Sequence, residues 1–431
     1  MEKVSPSRYV HFDKDSCTAC YDCVRICPTR ALRFRDQAPR LRAEQCIGCG
    51  ECIRVCSAGA VRAATCKPEQ LDKNQISVAL VSPVLYSQFP GVHPETVLQG
   101  LRQMGFRHAV DMSYFLEMFQ FATEDYIRRN RKKEESPWPL ISPVCPVIVR
   151  LIAYKFPNLL ANILPVARPL TIMIREVVRR LHEKYDNPEQ PFHLYYIVPC
   201  PTKMEPGRGP FLKDSSYEVR ALGFNDIFGD LRREICKVPW NAPLPDFFDY
   251  ETTVSSLIWG SSGGETADLK IEDSLAVSGL KECMSYLEKI EMGLFREMEY
   301  IEFRTCTEGC VGGILTATDR YLAKRDIQQT ILQGGIERRV TRSEFLRFYQ
   351  EGRFAQKNSL SAMHRIFGVH EKPLSLEKMA EIYRLLNHIN GKNCAACGAP
   401  DCRTFAEDVV RGEACAEDCL ELRARGKKMI Y

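Results

Sequence analysis

The alternation of apolar and polar positions predicts a parallel α/β domain in the middle of the chain. Residues 75–83 form an apolar, β-branched run between turn signals, which is typical of a buried strand. Apolar residues then recur at helical spacing over residues 94–104 and 115–131, with a second strand predicted between them at 108–111. Because strand–helix–strand units of this length build parallel sheets, we predict an α/β fold for residues 76–372.

Residues 261–264, Ser-Ser-Gly-Gly, interrupt this central region. Glycine adopts backbone conformations that other residues avoid, so the segment is the most flexible-looking point of the domain. We predict a surface loop there.

Composition and charge exclude several classes of protein. The chain has 431 residues, of which 45% are hydrophobic and 26% charged, as in soluble globular proteins with a large core. Its 59 basic and 55 acidic residues give a formal net charge of +4, which does not favour nucleic-acid or membrane-surface binding. The N-terminus lacks an apolar signal core, and no segment is apolar enough to span a membrane. A cytoplasmic protein is expected.

Twenty cysteines set this composition apart. Disulfide scaffolds suit short secreted domains, whereas clustered cysteines in a cytosolic chain indicate metal or redox chemistry. Residues 1–75 contain two successive Cys-x2-Cys-x2-Cys-x3-Cys runs, the pattern of bacterial two-cluster ferredoxins, where each run takes its fourth ligand from the other. One 4Fe–4S cluster is expected on Cys17, Cys20, Cys23 and Cys56, and another on Cys46, Cys49, Cys52 and Cys27. Structural zinc is the alternative, but zinc sites usually use one pair of Cys-x2-Cys units.

Further cysteines follow candidate strands in the central region. Apolar runs end at Cys145, at Cys200 and at Cys306, and Cys310 follows in a glycine-rich turn. Ligands at the carboxyl ends of parallel strands converge on one crevice, and thiolates are soft ligands for iron. The four cysteines are therefore candidates for one four-thiolate site. The alternative is that each is an ordinary buried cysteine.

Residues 373–431 carry a last cysteine group, with helices predicted at 374–390 and 404–412. Four thiolates favour one C-terminal 4Fe–4S cluster over zinc. The predicted ligands are Cys394, Cys397, Cys402 and Cys419. Cys415 competes with Cys419 for the fourth position.

These motifs resemble those of the FeFe (iron-only) hydrogenase family over most of the chain. The family's three signatures are matched in order by Val144-Cys145-Pro146, Pro199-Cys200-x2-Lys203, and Glu302-x3-Cys306-x3-Cys310-x-Gly312-Gly313. The N-terminal part looks like the family's two-cluster ferredoxin domain, of α+β fold. The C-terminal part is similar to a small helical 4Fe–4S domain found in some members of the sensory branches and in corrinoid proteins.

The resemblance implies an H-cluster between the lobes of the central α/β domain. In that cluster four thiolates hold a 4Fe–4S cubane, and one thiolate bridges to a diiron unit that bears CO and cyanide and is delivered by hydrogenase maturation proteins. Carried over by position, Cys145, Cys200, Cys306 and Cys310 hold the cubane, and Cys310 is the bridge. Lys203 is then a charged donor to a cyanide nitrogen, and Ser82 and Pro83 match a segment that lines the same pocket.

The chain departs from the family's catalysts at the proton relay. Those enzymes have a second cysteine immediately before the first ligand, where this chain has Val144. Two family methionines are replaced by Val198 and Arg304, and Glu205 lies closer to Lys203 than the family's glutamate does to its lysine. Slow turnover is expected, because a positioned proton-transfer group typically contributes about 10²–10⁴ in rate. The remaining candidates for proton transfer are Glu205, Glu302, Thr305 and Glu308.

Three functions remain in competition. The first is a divergent hydrogenase of the sensory branch that binds or slowly turns over H2. The second is a non-catalytic electron-transfer subunit of a larger redox complex. The third is a signalling module that acts through a partner, and it is compatible with the first. The expected partners are a ferredoxin or another hydrogenase subunit, or a signalling protein, and a homodimer is compatible with the sequence.

Overall fold

The computed structural model describes residues 9–71, 75–131, 137–185, 192–204, 219–239, 254–267, 269–334, 340–355, 374–389 and 391–424. The strands, in chain order, are β1 (Val10–Phe12), β2 (Leu32–Arg35), β3 (Ala38–Leu41), β4 (Val61–Ala63), β5 (Ile76–Val81), β6 (His108–Asp111), β7 (Leu140–Ile141), β8 (Phe192–Val198), β9 (Val219–Gly223), β10 (Ser274–Ser278) and β11 (Tyr300–Arg304). The helices are α1 (Asp22–Ile26), α2 (Glu51–Arg54), α3 (Pro94–Gln103), α4 (Ser113–Asn130), α5 (Pro146–Lys155), α6 (Pro169–Lys184), α7 (Phe224–Ile235), α8 (Leu280–Glu291), α9 (Arg320–Gly334), α10 (Arg342–Gln350), α11 (Leu376–His388), α12 (Cys402–Val410) and α13 (Leu420–Ala424).

The chain divides into two compact units, residues 1–64 together with 369–431, and residues 65–368. In the first unit, β1 pairs antiparallel with β4, and β2 and β3 form a hairpin. A small buried core that includes Val10, Val24, Leu32 and Val61 packs against several of the cysteine side chains. The predicted domain boundaries at residues 75 and 372 stay predictions.

The second unit contains two parallel sheets. The first has the strand order β6-β5-β8-β9, and the second has the order β10-β11-β7. Helix α3 begins with Pro94, whose fixed φ suits the first helical position, and buries Val97, Leu98 and Leu101. The predicted α/β class with parallel sheets is confirmed. In the described part of the chain, no helix has both the length and the apolar character needed to cross a membrane.

Candidate functional site

Cysteines from both sheets of the second unit meet beyond the carboxyl ends of the strands. Cys145 follows β7 and is buried at the start of α5, where Pro146 occupies the first helical position. Cys200 follows β8, and the turn after β11 carries Cys306 and Cys310. Lys203, one short turn after Cys200, brings its Nζ to 3.5 Å from Cys310 Sγ. The structure therefore gathers the second and third motifs around one lysine.

The charges at this site stabilise one another. Burial raises the pKa of Cys200 to about 12, although Lys203 lowers it. Burial alone would lower the pKa of Lys203, but the Cys310 thiolate raises it, and the net pKa lies above its ordinary value. Lys203 thus stays a cation at neutral pH, whereas Cys200 without bound iron is a neutral thiol. A metal cluster bound by these thiolates would take over part of that charge compensation.

A cavity opens next to Lys203 and Cys310. Its cationic lining residues are Arg150, Arg168 and Lys203, and the described residues of its wall include no carboxylate. Much of the rest of the wall is apolar: Val84, Met112, Leu116, Val144, Pro146, Pro169, Leu170 and Trp259. Cations in an apolar wall suit an anionic guest of low hydration, because charge interactions strengthen when water is excluded. The donor set therefore fits a cyanide-bearing diiron unit.

Ser82 lines this cavity and is buried. Pro83, also buried, directly follows Ser82 and begins a short 3₁₀ turn, Pro83–Gln88, after β5. The structure thus places Ser82 beside Lys203 and Cys310, as the resemblance implies, and Pro83 behind it.

The glycine-rich turn after β11 packs closely against the loop that carries Cys200 and is hydrogen-bonded to it. The amide of Leu315 donates to the carbonyl oxygen of Pro199 at 2.9 Å. A Cβ at Gly313 would lie 2.4 Å from the same oxygen, so a side chain there would force the two loops apart. Gly313 is required for close approach of backbones, which holds Cys310 near Lys203.

A buried network of charged side chains lies directly before Cys306. Arg304 donates from Nη2 to Glu265 at 2.6 Å and from Nε to Glu302 at 3.1 Å, and all three side chains are almost fully buried. The hydroxyl of Ser142 donates to Glu265 at 2.7 Å, and that of Tyr300 does so too. Burial raises the pKa of Glu302 to about 7, although Arg304 lowers it. Paired and hydrogen-bonded charges of this kind are tolerated in a core.

The prediction of a surface loop at residues 261–264 is wrong. Its glycines permit close backbone contact inside the protein, since a Cβ at Gly264 would lie 1.8 Å from a backbone carbonyl oxygen. The Glu302 carboxylate accepts hydrogen bonds from the backbone amide of Gly263 in this segment and from those of Glu265 and Thr266, which follow it. Glu302 therefore holds the loop in place with its hydrogen bonds, and its role in proton transfer stays a prediction.

The other residues considered for proton transfer have separate surroundings. Val144, at the relay position, is 8% exposed and lines the cavity. The hydroxyl of Thr305 lies 3.7 Å from Cys145 Sγ. Glu308 forms an ion pair with Lys324. Glu205 lies outside the described residues. Thr305 thus contacts a cysteine of the site.

The N-terminal cysteines form two groups. One cavity is lined by Cys17, Cys20, Cys23 and Cys56. Burial, and then repulsion by the other three cysteines of this group, raises the pKa of Cys23 to about 11. In the second group, burial and the neighbouring Cys27, Cys52 and Cys46 raise the pKa of Cys49. Iron would relieve this repulsion, so the donor sets fit two clusters with the predicted exchange of fourth ligands.

The C-terminal cysteines surround a third cavity, lined by Cys394, Cys397, Cys402 and Cys419. Cys415 is exposed and is not among the residues of that wall. The structure therefore favours Cys419 as the fourth ligand. Among the described residues, no three acidic, histidine or cysteine side chains are grouped tightly enough to hold a single metal ion. In a cubane each thiolate bonds a different iron, so cluster ligands lie wider apart.

Family comparisons agree with these three regions. Residues 75–220 match the family model of the iron-only hydrogenase large subunit, C-terminal domain. Residues 9–57 match a 4Fe-4S dicluster domain, and residues 389–420 match an Fe-S cluster domain. A comparison with curated proteins finds no matching sequence.

Solved FeFe-hydrogenase structures share the fold. An apo cysteine-to-histidine variant of FeFe-hydrogenase HydA1 from Chlamydomonas reinhardtii is 14% identical, with a TM-score of 0.51 and coverage of 69% of this chain and 94% of that one. HydA(deltaEFG), from a structure on stepwise H-cluster assembly, is 15% identical, with a TM-score of 0.50 and coverage of 66% and 91%. The chain is FeFe-hydrogenase-like in its fold. The predicted resemblance to the family is confirmed by the family model over residues 75–220, whereas membership of the sensory branch stays a prediction.

Several cavity residues of this FeFe-hydrogenase-like protein were missed by sequence reasoning. Arg150 interrupts the apolar face of α5, and a lone charge within an apolar helix is the signal that points to it. Trp259 and Arg168 lie far from every cysteine motif in the sequence and carry no comparable signal. The cationic character of the cavity therefore emerges only from the fold.

Proposed function

We propose that this protein binds an H-cluster at Cys145, Cys200, Cys306 and Cys310 and slowly interconverts H2 with protons and electrons, in a sensing or regulatory role. The observation that carries the proposal is the contact of Lys203 Nζ with Cys310 Sγ, at the edge of a cationic and otherwise largely apolar cavity. When bound, a diiron unit of this kind supplies the centre at which H2 is split and formed.

The residues of the chain have distinct tasks in this proposal. Lys203 donates to an anionic ligand in a site shielded from water, where a charge-assisted hydrogen bond is strong. The apolar wall, including Val84 and Trp259, excludes water from that hydrogen bond. Val144 carries no exchangeable proton, so proton delivery at the relay position is lost. Slow turnover follows, and a slow site suits the detection of H2 better than its bulk consumption.

The runner-up is a non-catalytic electron-transfer subunit, and the aliphatic Val144 together with the carboxylate-free described wall favours it. Under either function we propose a redox partner, a ferredoxin or another hydrogenase subunit, or a signalling protein. Maturation proteins are proposed only for the first function, since only that function requires the diiron unit.

Infrared spectroscopy separates the two functions. The iron–sulfur-reconstituted chain is loaded anaerobically with a synthetic diiron complex, and bands of CO and cyanide are expected. The bands should vanish in Cys310→Ser and weaken strongly in Lys203→Ala. Lys281→Ala, which removes an exposed lysine from α8, serves as the control and should match the unmodified chain. Absence of these bands from a chain whose cubane is loaded would overturn the proposal and leave the electron-transfer subunit.

A further inference from the structure

Within the first unit, the C-terminal cysteine region contacts the β2–β3 hairpin of the ferredoxin-like region. The amide of Phe34 donates to the carbonyl oxygen of Gly398 at 2.7 Å. Arg35 donates from Nη1 to the carbonyl oxygen of Cys397, one residue earlier. A Cβ at Gly398, whose φ is +78°, would lie 2.0 Å from the carbonyl oxygen of Phe34. Glycine is thus required for this approach, and the contact is a close one between backbones.

Buried ion pairs hold the same contact. Arg33, on β2, donates to Asp408 through Nε at 2.5 Å and through Nη2 at 3.0 Å. Arg42 reaches the same carboxylate from Nη2 at 2.9 Å. Asp408 is 1% exposed and lies on α12, the helix that begins at Cys402. Bidentate pairing fixes geometry as well as charge, so these pairs set the position of α12 on the hairpin.

Phe34 lies between the first N-terminal cysteine group and the C-terminal cysteine group. Phe34 lines the cavity of Cys17, Cys20, Cys23 and Cys56, and the centroid of its ring lies 4.7 Å from that of the Tyr21 ring. Its backbone amide is bonded to Gly398, the residue that follows Cys397. A path therefore leads from the N-terminal cavity to Cys397. It runs from the cavity wall through the covalent bonds of Phe34, crosses one hydrogen bond to Gly398, and continues along the backbone to Cys397.

We propose that this contact is an electron-transfer junction, through which the Cys394/Cys397/Cys402/Cys419 site exchanges electrons with the Cys17/Cys20/Cys23/Cys56 site by way of Phe34. One electron passes at a time, so one cluster is oxidised by one electron as the other is reduced by one. The step breaks no bond and moves no proton. Arg33, Arg35 and Arg42 outnumber the two carboxylates with which they pair, Asp408 and Glu413. The remaining positive charge favours the reduced form of a nearby cluster.

This inference depends on iron–sulfur occupancy of the two sites and is independent of hydrogen chemistry. The test therefore uses the full chain reconstituted with iron and sulfide but without a diiron unit. Electron paramagnetic resonance of the fully reduced protein measures spin–spin coupling between neighbouring clusters. The double variant Cys394→Ser/Cys397→Ser removes the C-terminal site and identifies which coupling belongs to it.

The unmodified chain should show two spin–spin couplings. The coupling between the C-terminal cluster and a ferredoxin cluster should disappear in the double variant, and the coupling between the two ferredoxin clusters should remain. Asp408→Asn should weaken the coupling of the C-terminal cluster at unchanged iron content, because it removes the carboxylate charge that binds α12 to Arg33 and Arg42. Asp326→Asn, a change in an ion pair of α9 with exposed Arg325, is the control and should leave it intact. If the spectra of the unmodified chain and the double variant show the same couplings, the proposal is wrong, whatever Asp408→Asn does.

Discussion

Charge is distributed unevenly around the central cavity, and individual residues determine what it can hold. Lys203, Arg150 and Arg168 contribute positive charge, and Lys203 Nζ lies 3.5 Å from Cys310 Sγ. An anionic ligand would compensate this positive charge strongly, because water is excluded by the apolar wall. The same wall cannot deliver protons at the relay position, because the aliphatic side chain of Val144 has no exchangeable proton. Binding and proton transfer are thus separable at the level of single side chains.

Val144→Cys tests this separation. A thiol at the cavity wall restores an exchangeable proton where the family's catalysts have one, so H2-dependent dye reduction should rise by on the order of 10²–10⁴ in the diiron-loaded protein. Val144→Ala is the matched control, because it also removes aliphatic bulk but adds no proton donor. Equal rates for the two variants would show that the lost thiol does not limit turnover.

At the scale of elements, β11 connects the cysteine turn to a buried loop. Residues 263–266 bind the Glu302 carboxylate through backbone amides, and Arg304 bridges Glu302 and Glu265. Apolar runs and their ends predicted the strands of this site. The loop was not predictable, since Glu265 and Glu302 are far apart in sequence and charged residues usually indicate exposure. Their ion pairs with Arg304 offset the free-energy cost of burying the two carboxylates.

Arg304→Met measures what this network contributes. Methionine is the residue that the family's catalysts carry there, yet the change leaves two buried carboxylates without their cation. We expect a loss of about 3–5 kcal/mol in the free energy of unfolding, seen as a lower midpoint in chemical denaturation. Arg233→Met, in an exposed pair with Asp230, should cost less than about 1 kcal/mol.

Adding Glu302→Gln and Glu265→Gln to Arg304→Met should recover part of the loss, because the two uncompensated charges are then removed. A chain in which Arg304→Met is as stable as Arg233→Met would contradict the assignment of Arg304 as the compensating cation. No recovery in the triple variant would show that the hydrogen bonds, and not the charges, stabilise the loop.

At the scale of the whole molecule, sequence spacing identifies the cysteine groups but not how the regions pack. Each N-terminal run is local, so its pattern alone indicates the cluster type. The ion pair of Arg33 with Asp408 joins residues 375 positions apart, and no sequence pattern in either segment predicts the contact. The same limit applies to Phe34 and Gly398. Long-range docking of this kind depends on the shape of two folded surfaces, which periodicity and motifs do not encode.

The two units also differ in what stabilises them. The first unit has a small core in which cysteines such as Cys23, Cys27 and Cys52 pack beside Val24 and Leu32. The second has a much larger core between β5, β8, α3 and α7. Small domains with little apolar burial depend on metal ligation, because metal binding supplies part of the folding free energy. The iron clusters therefore matter more to the first unit.

Removal of iron should unfold the first unit while the sheets of the second persist. Hydrogen–deuterium exchange of the iron-free chain is expected to show lost protection in peptides that contain β1 to β4, since neutral thiols no longer hold their loops together. Peptides that contain β5 and β8 should keep theirs, because that core contains no predicted cluster ligand except Cys310, which packs at its edge. Reconstitution with iron and sulfide should restore the protection of β1 to β4. Full protection of those strands without iron would show that apolar packing and the Asp408 ion pairs suffice to fold the first unit.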